Sequence, residues 1–224
     1  MALRRAKKSS VKLKIGLAGP SGSGKTMSAL LLAKGLVGSL DDVGVLDTEG
    51  GSSDLYASLG NYVCEHFEKP FDPNRYIKAI DLFYKEGIKC MIIDSVSHEW
   101  DGPGGCLEIH QRLGGQFNHW AKVTPIHRAF IEAINKIDMH VITTARKKQD
   151  YVIELNAKGK NEPRKVGLKD VQRDGFEYEL SCAFNINMDH MAIASKDRTG
   201  LFSTDIPFLI CEDTGKMLRE WNKQ

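Results

Sequence analysis

The amino-acid sequence predicts an α/β protein with a mostly parallel central sheet, helices on both faces and antiparallel strands at the C-terminal end. Between residues 12 and 145, short apolar segments typical of buried strands alternate with segments of helical periodicity. Near the C-terminus, two further apolar-rich segments are joined by the polar turn at residues 187–190, which predicts an antiparallel pair. Parallel strands linked through helices, followed by a hairpin, give this fold class.

Each predicted element rests on its own sequence pattern. The first helix follows a glycine-rich loop and meets no breaker before Gly35, and Asp72-Pro73 is typical of a helix start. The tail ends in a short amphipathic piece around Met217, Leu218 and Trp221. The predicted strands cover residues 12–18, 43–46, 62–67, 89–94, 139–145, 176–184 and 191–194, and the predicted helices cover residues 27–38, 72–86, 106–113 and 125–137.

The loop between the first strand and the first helix carries the strongest motif. Residues 19–26 match G-x-x-x-x-G-K-[ST], whose glycines let backbone N–H groups surround phosphate oxygens at a helix N-terminus. The alternative, a glycine turn with a chance lysine, is disfavoured by the strand before the loop and the apolar helix after it. The residues predicted to bind a nucleoside triphosphate are Gly19, Pro20, Ser21, Gly22, Ser23, Gly24, Lys25, Thr26 and Met27. Lys25 is expected to reach the β- and γ-phosphates, and the Thr26 hydroxyl is expected to hold Mg²⁺.

Acidic residues end the second and fourth predicted strands. Asp94 closes an apolar strand in the manner of a Walker B segment and is therefore predicted to support the Mg²⁺ shell. Ser95 follows it, where many AAA+ ATPases carry the glutamate that activates water. Glu49, after the second strand, is the best candidate for that role because strand ends face the ligand crevice in an open α/β sheet. Glu99 is the alternative candidate.

The composition predicts one cytoplasmic domain. The chain has 224 residues, 42% hydrophobic and 27% charged, which is ordinary for a globular domain. No apolar run approaches the roughly 20 residues needed to span a bilayer, and the basic N-terminus lacks the apolar region of a secretory signal. The five cysteines are scattered and form no C-x-x-C pair, as expected in a reducing compartment.

Positive charge is concentrated in two segments, although the net charge is only +2. Residues 1–14 carry six basic residues and no acidic one, and residues 146–173 carry nine basic residues against four acidic ones. Such segregation favours a polyanion partner, the alternative being a solvated loop and a disordered tail. We expect a flexible basic arm at residues 1–10 and a single domain at residues 11–224, with a basic loop or hairpin near residues 146–173.

Histidines and tryptophans cluster in the glycine-rich stretch at residues 98–120 and shortly after it. His98, His110, His119 and His127 suggest a metal, but their spacing matches no zinc motif, so packing and solvent exposure are the favoured explanation. Trp100 and Trp120 are residues that can stack on nucleic-acid bases. Anchoring of a loop to the core is the more common role and is favoured here.

The layout resembles the RecA-type ATPase core. The P-loop, Glu49 and Asp94-Ser95 fall in the RecA order, and Lys196-Asp197-Arg198-Thr199-Gly200 looks like the K-x-R-x-G element of the RadA and DnaB-type ring ATPases. Three further segments are similar to a family of small phage P-loop ATPases grouped with RecA-like single-strand annealing recombinases. These segments are Asp94-Ser95-Val96-Ser97-His98-Glu99-Trp100, Lys148-Gln149-Asp150-Tyr151 and Val171-Gln172-Arg173-Asp174-Gly175.

The resemblance implies a function and partners. It implies an ATPase that binds single-stranded DNA in phage recombination or annealing, in the host cytoplasm, as a homo-oligomer with the ATP site at a subunit interface. Glu49 would orient the attacking water, while Lys196 and Arg198 would act in the neighbouring subunit. Only about ten residues precede the first strand, too few for the larger N-terminal oligomerisation element of RecA, so the sequence does not predict a RecA-like filament. The residues implied to contact DNA are Arg146, Lys147, Lys148, Lys158, Lys160, Arg164 and Lys165.

Two other functions remain open at this point. A small-molecule or nucleotide kinase shares the P-loop, and the basic loop could be its lid. An NTP-driven switch or loader would instead bind a single-strand-binding or replication protein.

Overall fold

The computed structural model describes residues 5–155 and 161–224 of the chain. In these residues the strands are β1 Lys14–Gly19, β2 Val43–Asp47, β3 Val63–His66, β4 Cys90–Asp94, β5 His140–Leu155, β6 Asn161–Asp170, β7 Cys182–Ile186, β8 Met191–Asp197 and β9 Phe208–Leu209. The α-helices are α1 Lys25–Val37, α2 Pro73–Lys85, α3 Ser97–Asp101, α4 Cys106–Arg112, α5 Trp120–Lys136 and α6 Glu212–Lys223. Short 3-10 helices cover Lys8–Ser10, Leu40–Asp42, Ser52–Leu59, Phe117–His119 and Phe176–Glu179. Within this described part, no helix is both long enough and apolar enough to cross a bilayer.

The central sheet has the strand order β3-β2-β4-β5-β1-β7-β8-β9. The strands from β3 to β7 in this order pair in parallel, whereas β8 pairs antiparallel with β7 and β9 antiparallel with β8. This arrangement confirms the predicted fold class. Since β1, β2, β4 and β5 run in the same direction, their carboxyl ends meet at one edge of the sheet, where a ligand crevice forms in open α/β folds.

Apolar residues of the parallel strands face two separate cores. Cys90 and Ile92 of β4 pack in the cluster beneath α1 and α6, while Met91 and Ile93 pack in the cluster beneath α2 and α5. The alternation follows from the two-residue period of a strand, and both faces are covered because each carries apolar side chains. Helices therefore lie on both faces of the sheet, as predicted.

A long β-hairpin, formed by the second part of β5 and by β6, extends from the middle of the sheet. The first part of β5 pairs with β4 up to Thr144 and with β1 up to Arg146, and from Lys147 onward the strand pairs antiparallel with β6 instead. The segment predicted as a basic loop or hairpin is thus continuous with a central strand. Lys158 and Lys160 lie outside the described residues.

Three elements differ from their predictions. Phe176–Glu179 is a 3-10 helix rather than the start of a strand, because Gly175 at φ 89° turns the chain and Glu177 and Tyr178 are exposed. The helix predicted from residue 125 begins at Trp120 and contains Pro125. The C-terminal piece is a full helix, α6, which packs on α1.

The end of the predicted N-terminal arm lies against α6. Lys8–Ser10 forms a 3-10 helix, the Lys8 ammonium lies 4.8 Å from the ring centre of Trp221, and Asn222 donates to the Lys8 carbonyl at 2.9 Å. An aromatic face attracts a cation at this distance. Residues 8–10 are therefore docked on the domain.

Candidate nucleotide site

The P-loop connects the carboxyl end of β1 to the first turn of α1. Gly24, the residue before α1, has φ 87°, a left-handed conformation that disfavours any side chain. A Cβ at Gly19 would lie 2.5 Å from Ser23 Oγ and 2.6 Å from the Ile186 carbonyl, so only glycine fits there. The Ser23 hydroxyl is buried without a hydrogen-bond partner among the described residues. These features give a tight loop with backbone and hydroxyl donors at a helix N-terminus, which is suited to phosphate.

Thr26 and Asp94 meet at the base of this loop. Thr26 Oγ1 donates to Asp94 Oδ2 at 2.6 Å, and Thr144 on β5 donates to the other carboxylate oxygen. Asp94 is buried, and burial raises its pKa, although both hydroxyl donors act in the opposite direction. Hard oxygen donors are the ligands that Mg²⁺ prefers, so Thr26 and Asp94 fit the predicted metal role.

Lys25 is the first residue of α1, and its ammonium donates to the Pro20 carbonyl at 2.9 Å within the same loop. Burial lowers the pKa of Lys25, while the nearby carboxylates of Asp94 and Glu49 oppose that shift. Lys25 therefore places a positive charge inside the loop, where the motif predicts contact with phosphate.

Glu49 lies beside Thr26 and Asp94, and Arg146 holds its carboxylate. The guanidinium of Arg146 contacts both carboxylate oxygens, with Nε donating to Oε1 at 2.8 Å, and Ser95 Oγ donates to Oε1 at 3.0 Å. Burial would raise the pKa of Glu49, but the Arg146 hydrogen bonds and charge outweigh it and hold that pKa below its usual range. Glu49 is consequently ionised at neutral pH.

A second group of polar residues, Thr48, Ser95 and His98, lies next to Glu49. Thr48 Oγ1 accepts from the Ser95 backbone N–H at 2.7 Å and lies 2.7 Å from His98 Nδ1. The His98 ring stacks on Phe71 at 4.7 Å, and burial together with the Arg146 charge lowers its pKa. This network ties the end of β2 to the segment after Asp94. Sequence reasoning missed Thr48, since a threonine at a strand end carries no distinctive signal.

The site opens into a cleft of about 650 Å³ at the carboxyl edge of the sheet. Its walls include most of the predicted nucleotide residues, namely Ser21, Gly22, Gly24, Lys25, Thr26 and Met27, together with Glu49, Asp94 and Arg146. His190, in the turn between β7 and β8, also lines the cleft, with Nδ1 3.0 Å from the Ser23 carbonyl. The sequence did not indicate His190, which only the pairing of β7 with β1 brings to the loop.

Comparison with known proteins agrees with this geometry. Residues 11–205 match a protein family described as an AAA domain. The chain belongs to this AAA-domain family. The solved structure of the KaiC-like protein PH0186 from the hyperthermophilic archaeon Pyrococcus horikoshii OT3 is similar, with a TM-score of 0.51 and 17% sequence identity over 95% of this chain and 97% of that chain. At this identity the likeness shows a common fold. No curated protein sequence matches the chain.

The AAA domain is thus a P-loop ATPase domain with a RecA-like fold. Membership in this family supports nucleotide binding and hydrolysis. The residues that the sequence predicted from separate segments, Lys25, Thr26, Glu49 and Asp94, all line the same cleft.

Two other predicted catalytic residues of the AAA domain lie away from this cleft. Lys196 Nζ donates to the Glu177 carbonyl at 2.9 Å, and Arg198 donates to the Tyr178 carbonyl at 3.0 Å. Both hold the 3-10 helix Phe176–Glu179 in their own chain, so any contact with ATP would have to be in a neighbouring subunit. That role stays a prediction.

The alternative water-orienting residue, Glu99, points elsewhere. Its carboxylate is fully buried among Cys106, His127 and Gln172 and does not line the nucleotide cleft. The arrangement favours Glu49.

The basic residues of the hairpin are placed along β5 and β6. Lys147 pairs with Asp170 at 2.8 Å, and Lys148 lies 3.6 Å from Asp101. Arg164 and Lys165 lie on β6 opposite Val152 and Tyr151. Part of the positive charge is therefore neutralised within the chain.

The two tryptophans of the glycine-rich stretch stack on each other. The ring centres of Trp100 and Trp120 are 5.7 Å apart, and His110 stacks on Trp120 at 4.1 Å. The two tryptophans are therefore held by aromatic neighbours in their own chain, as expected for loop anchoring, and each remains partly exposed.

Proposed function

We propose that this AAA domain is an ATPase that binds single-stranded DNA through the β5–β6 hairpin and supports phage DNA recombination or annealing in the host cytoplasm. The observation that carries the proposal is the continuity of β5, which runs from the nucleotide cleft into the basic hairpin. Arg146 is the residue at the junction, since its side chain lies on Glu49 and its backbone carbonyl accepts from Val171 N–H after β6 at 2.7 Å.

The chain's own residues define the chemical roles. The P-loop and Lys25 would bind and orient the triphosphate, and Thr26 and Asp94 would hold Mg²⁺. Mg²⁺ bound with ATP supplies neutralisation of the phosphate charge. Glu49, kept ionised by Arg146, orients the attacking water and accepts its proton. A glutamate in this role must remain deprotonated, and the lowered pKa of Glu49 is consistent with that.

A change in the bound nucleotide would alter the conformation of the hairpin through Arg146. The Arg146 backbone N–H donates to Ser97 Oγ at 2.8 Å, which ties the hairpin's base to the segment that follows Asp94. A change in the contact between Glu49 and Arg146 would therefore directly affect the positions of β5 and β6. A ligand can shift such an equilibrium only by contacting the two states differently, and Arg146 is the residue placed to do so.

Binding to single-stranded DNA would be mainly electrostatic. Lysines and arginines that neutralise phosphates give affinity that depends strongly on salt and little on sequence. The net positive charge of residues 146–173 supports such a partner. We further propose that the AAA domain works as a homo-oligomer, with Lys196 and Arg198 completing the ATP site of the next subunit.

The hairpin is tested by reversing its charge in the full chain. Arg164→Glu combined with Lys165→Glu should weaken binding of a fluorescent oligonucleotide at low salt, measured by anisotropy, while basal ATPase stays unchanged. The matched control is Lys78→Glu with Lys85→Glu, which makes the same charge change at exposed positions of α2. Equal losses in both pairs would indicate a net-charge effect and argue against the hairpin. Phosphate transfer to added nucleotides in place of hydrolysis would favour a kinase.

A further inference from the structure

A buried cluster of three metal-ligand residue types lies outside the nucleotide site. Glu99 of α3, Cys106 at the start of α4 and His127 of α5 converge, and one ligand atom from each lies within 4.8 Å of the others. Cys106 Sγ is 3.1 Å from Glu99 Oε1, and His127 Nδ1 is 3.0 Å from the same oxygen. Glu99 and Cys106 are fully buried and His127 is 6% exposed.

The surrounding segment has very little apolar core of its own. From Ser97 to Lys122, Cys106 is the only apolar residue that is fully buried, and it belongs to neither hydrophobic cluster of the domain. Small units that cannot bury enough apolar surface are commonly held together by disulfides or metal ions. The five cysteines of the chain are free thiols. A metal ion is then the cross-link that the cluster offers.

Close packing of the glycine turn brings the ligands together. A Cβ at Gly105 would lie 2.6 Å from the Glu99 carbonyl and 2.7 Å from the His98 carbonyl, so glycine is required where the chain returns to α3. This contact places Cys106, the next residue, against Glu99. Gln172 Nε2 donates to the second Glu99 oxygen at 3.3 Å and can orient the carboxylate, as residues behind the direct ligands do in metal sites.

We infer that Glu99, Cys106 and His127 bind a Zn²⁺ ion that joins α3, α4 and α5. A thiolate, an imidazole and a carboxylate are ligands that zinc accepts in tetrahedral sites, whereas Mg²⁺ and Ca²⁺ disfavour sulfur. The fourth ligand would be a water molecule, since the Gln172 side-chain oxygen already accepts from the Arg173 N–H at 2.7 Å. On binding, the Cys106 thiol loses its proton to solvent, and His127 coordinates through Nδ1 with its proton on Nε2.

Hydrogen bonding alone is the competing account, and Cys106→Ser separates the two. A serine hydroxyl can still donate to Glu99, so a purely hydrogen-bonded cluster would tolerate the change, whereas a zinc site would lose its thiolate. Cys64→Ser is the matched control because Asp54, Cys64 and His66 form a second cluster of similar composition that is largely exposed.

The test measures zinc in the purified full chain by mass spectrometry after dialysis against excess Mg²⁺. We expect about one zinc per chain in the wild type and in Cys64→Ser, and none in Cys106→Ser. A chelator should lower the melting temperature of the wild type but leave that of Cys106→Ser unchanged. Circular dichroism shows whether Cys106→Ser folds. If it does not, cobalt substitution of the wild type should give a thiolate charge-transfer band, and its absence would overturn the inference. Wild-type protein without zinc, or zinc retained in Cys106→Ser, would also overturn it.

Discussion

Arg146 donates two hydrogen bonds to the Glu49 carboxylate, one to each oxygen, at the nucleotide cleft. The bond from Nε to Oε1 is 2.8 Å long. Such a bidentate pair fixes both the charge and the direction of the carboxylate. Glu49 comes from the end of β2 and Arg146 from the end of the central part of β5, so the pair also joins two strands at the sheet edge.

Replacing Arg146 should change the pH dependence of ATP hydrolysis. In Arg146→Gln, burial becomes the larger influence on Glu49 and raises its pKa, so the Glu49 carboxylate becomes protonated at a higher pH. We expect the acidic limb of the kcat/KM profile to move up by about 1 pH unit. Arg146→Lys should shift it less because the charge remains. An acidic limb that does not move in Arg146→Gln would rule out this control of Glu49.

Arg198→Ala tests the proposed action between subunits. We expect nucleotide binding to be kept and turnover to fall by roughly 10³-fold, the scale of an arginine finger. Mixing this variant with Lys25→Ala should restore part of the activity, since each would supply what the other lacks. Circular dichroism is needed as a control because Arg198 also holds the Tyr178 carbonyl. If mixing restores nothing, the residue acts within its own chain.

The contact between α1 and α6 depends on two glycines. A Cβ at Gly35 would lie 1.9 Å from the Glu212 carbonyl, and one at Gly215 would lie 2.2 Å from the Leu32 carbonyl. Gly35→Ala should therefore reduce the free energy of unfolding by about 1–3 kcal/mol, despite the better helix propensity of alanine. Urea unfolding measures this, with Met217→Ala on the exposed face of α6 as the control. Equal stability of Gly35→Ala and wild type would contradict the close contact.

His140 should make the domain less stable in mild acid. Its Nδ1 accepts from the Leu13 N–H at 3.0 Å, and burial, with the charges of Lys12 and Lys14, lowers its pKa to about 4. In the unfolded chain His140 takes up a proton near pH 6.5, whereas in the folded protein it does so only near pH 4. The contribution of neutral His140 to the free energy of unfolding is therefore complete above about pH 6.5, and that free energy falls by up to about 3 kcal/mol as the pH approaches 4.

His140→Asn keeps an acceptor but cannot titrate, which makes it the matched control for this loss. The difference in free energy of unfolding between wild type and variant should change in favour of the variant as the pH falls from about 6.5 to about 4. Parallel pH dependences of the two proteins would show that His140 does not contribute.

The predictable part of the site came from local patterns. The P-loop is contiguous, and Asp94 and Glu49 were found because strand ends in a parallel sheet share one edge. His190 and Thr48 were missed because only tertiary pairing places them near the loop. Strand periodicity was misleading at Phe176–Glu179, where Gly175 turns the chain, and the extent of α6 was missed because its glycine belongs to a close helix contact.

The most direct test of the central proposal is the ATPase rate of the full chain with and without single-stranded DNA across a salt series. We expect DNA to change the rate at low salt and the effect to vanish as salt rises. If about four phosphates are neutralised, affinity should fall roughly 50-fold between about 50 and about 200 mM salt. Lys25→Ala should show no hydrolysis under either condition. Hydrolysis that is the same with and without DNA at the lowest salt, in a protein that binds no DNA there, would contradict the proposed function.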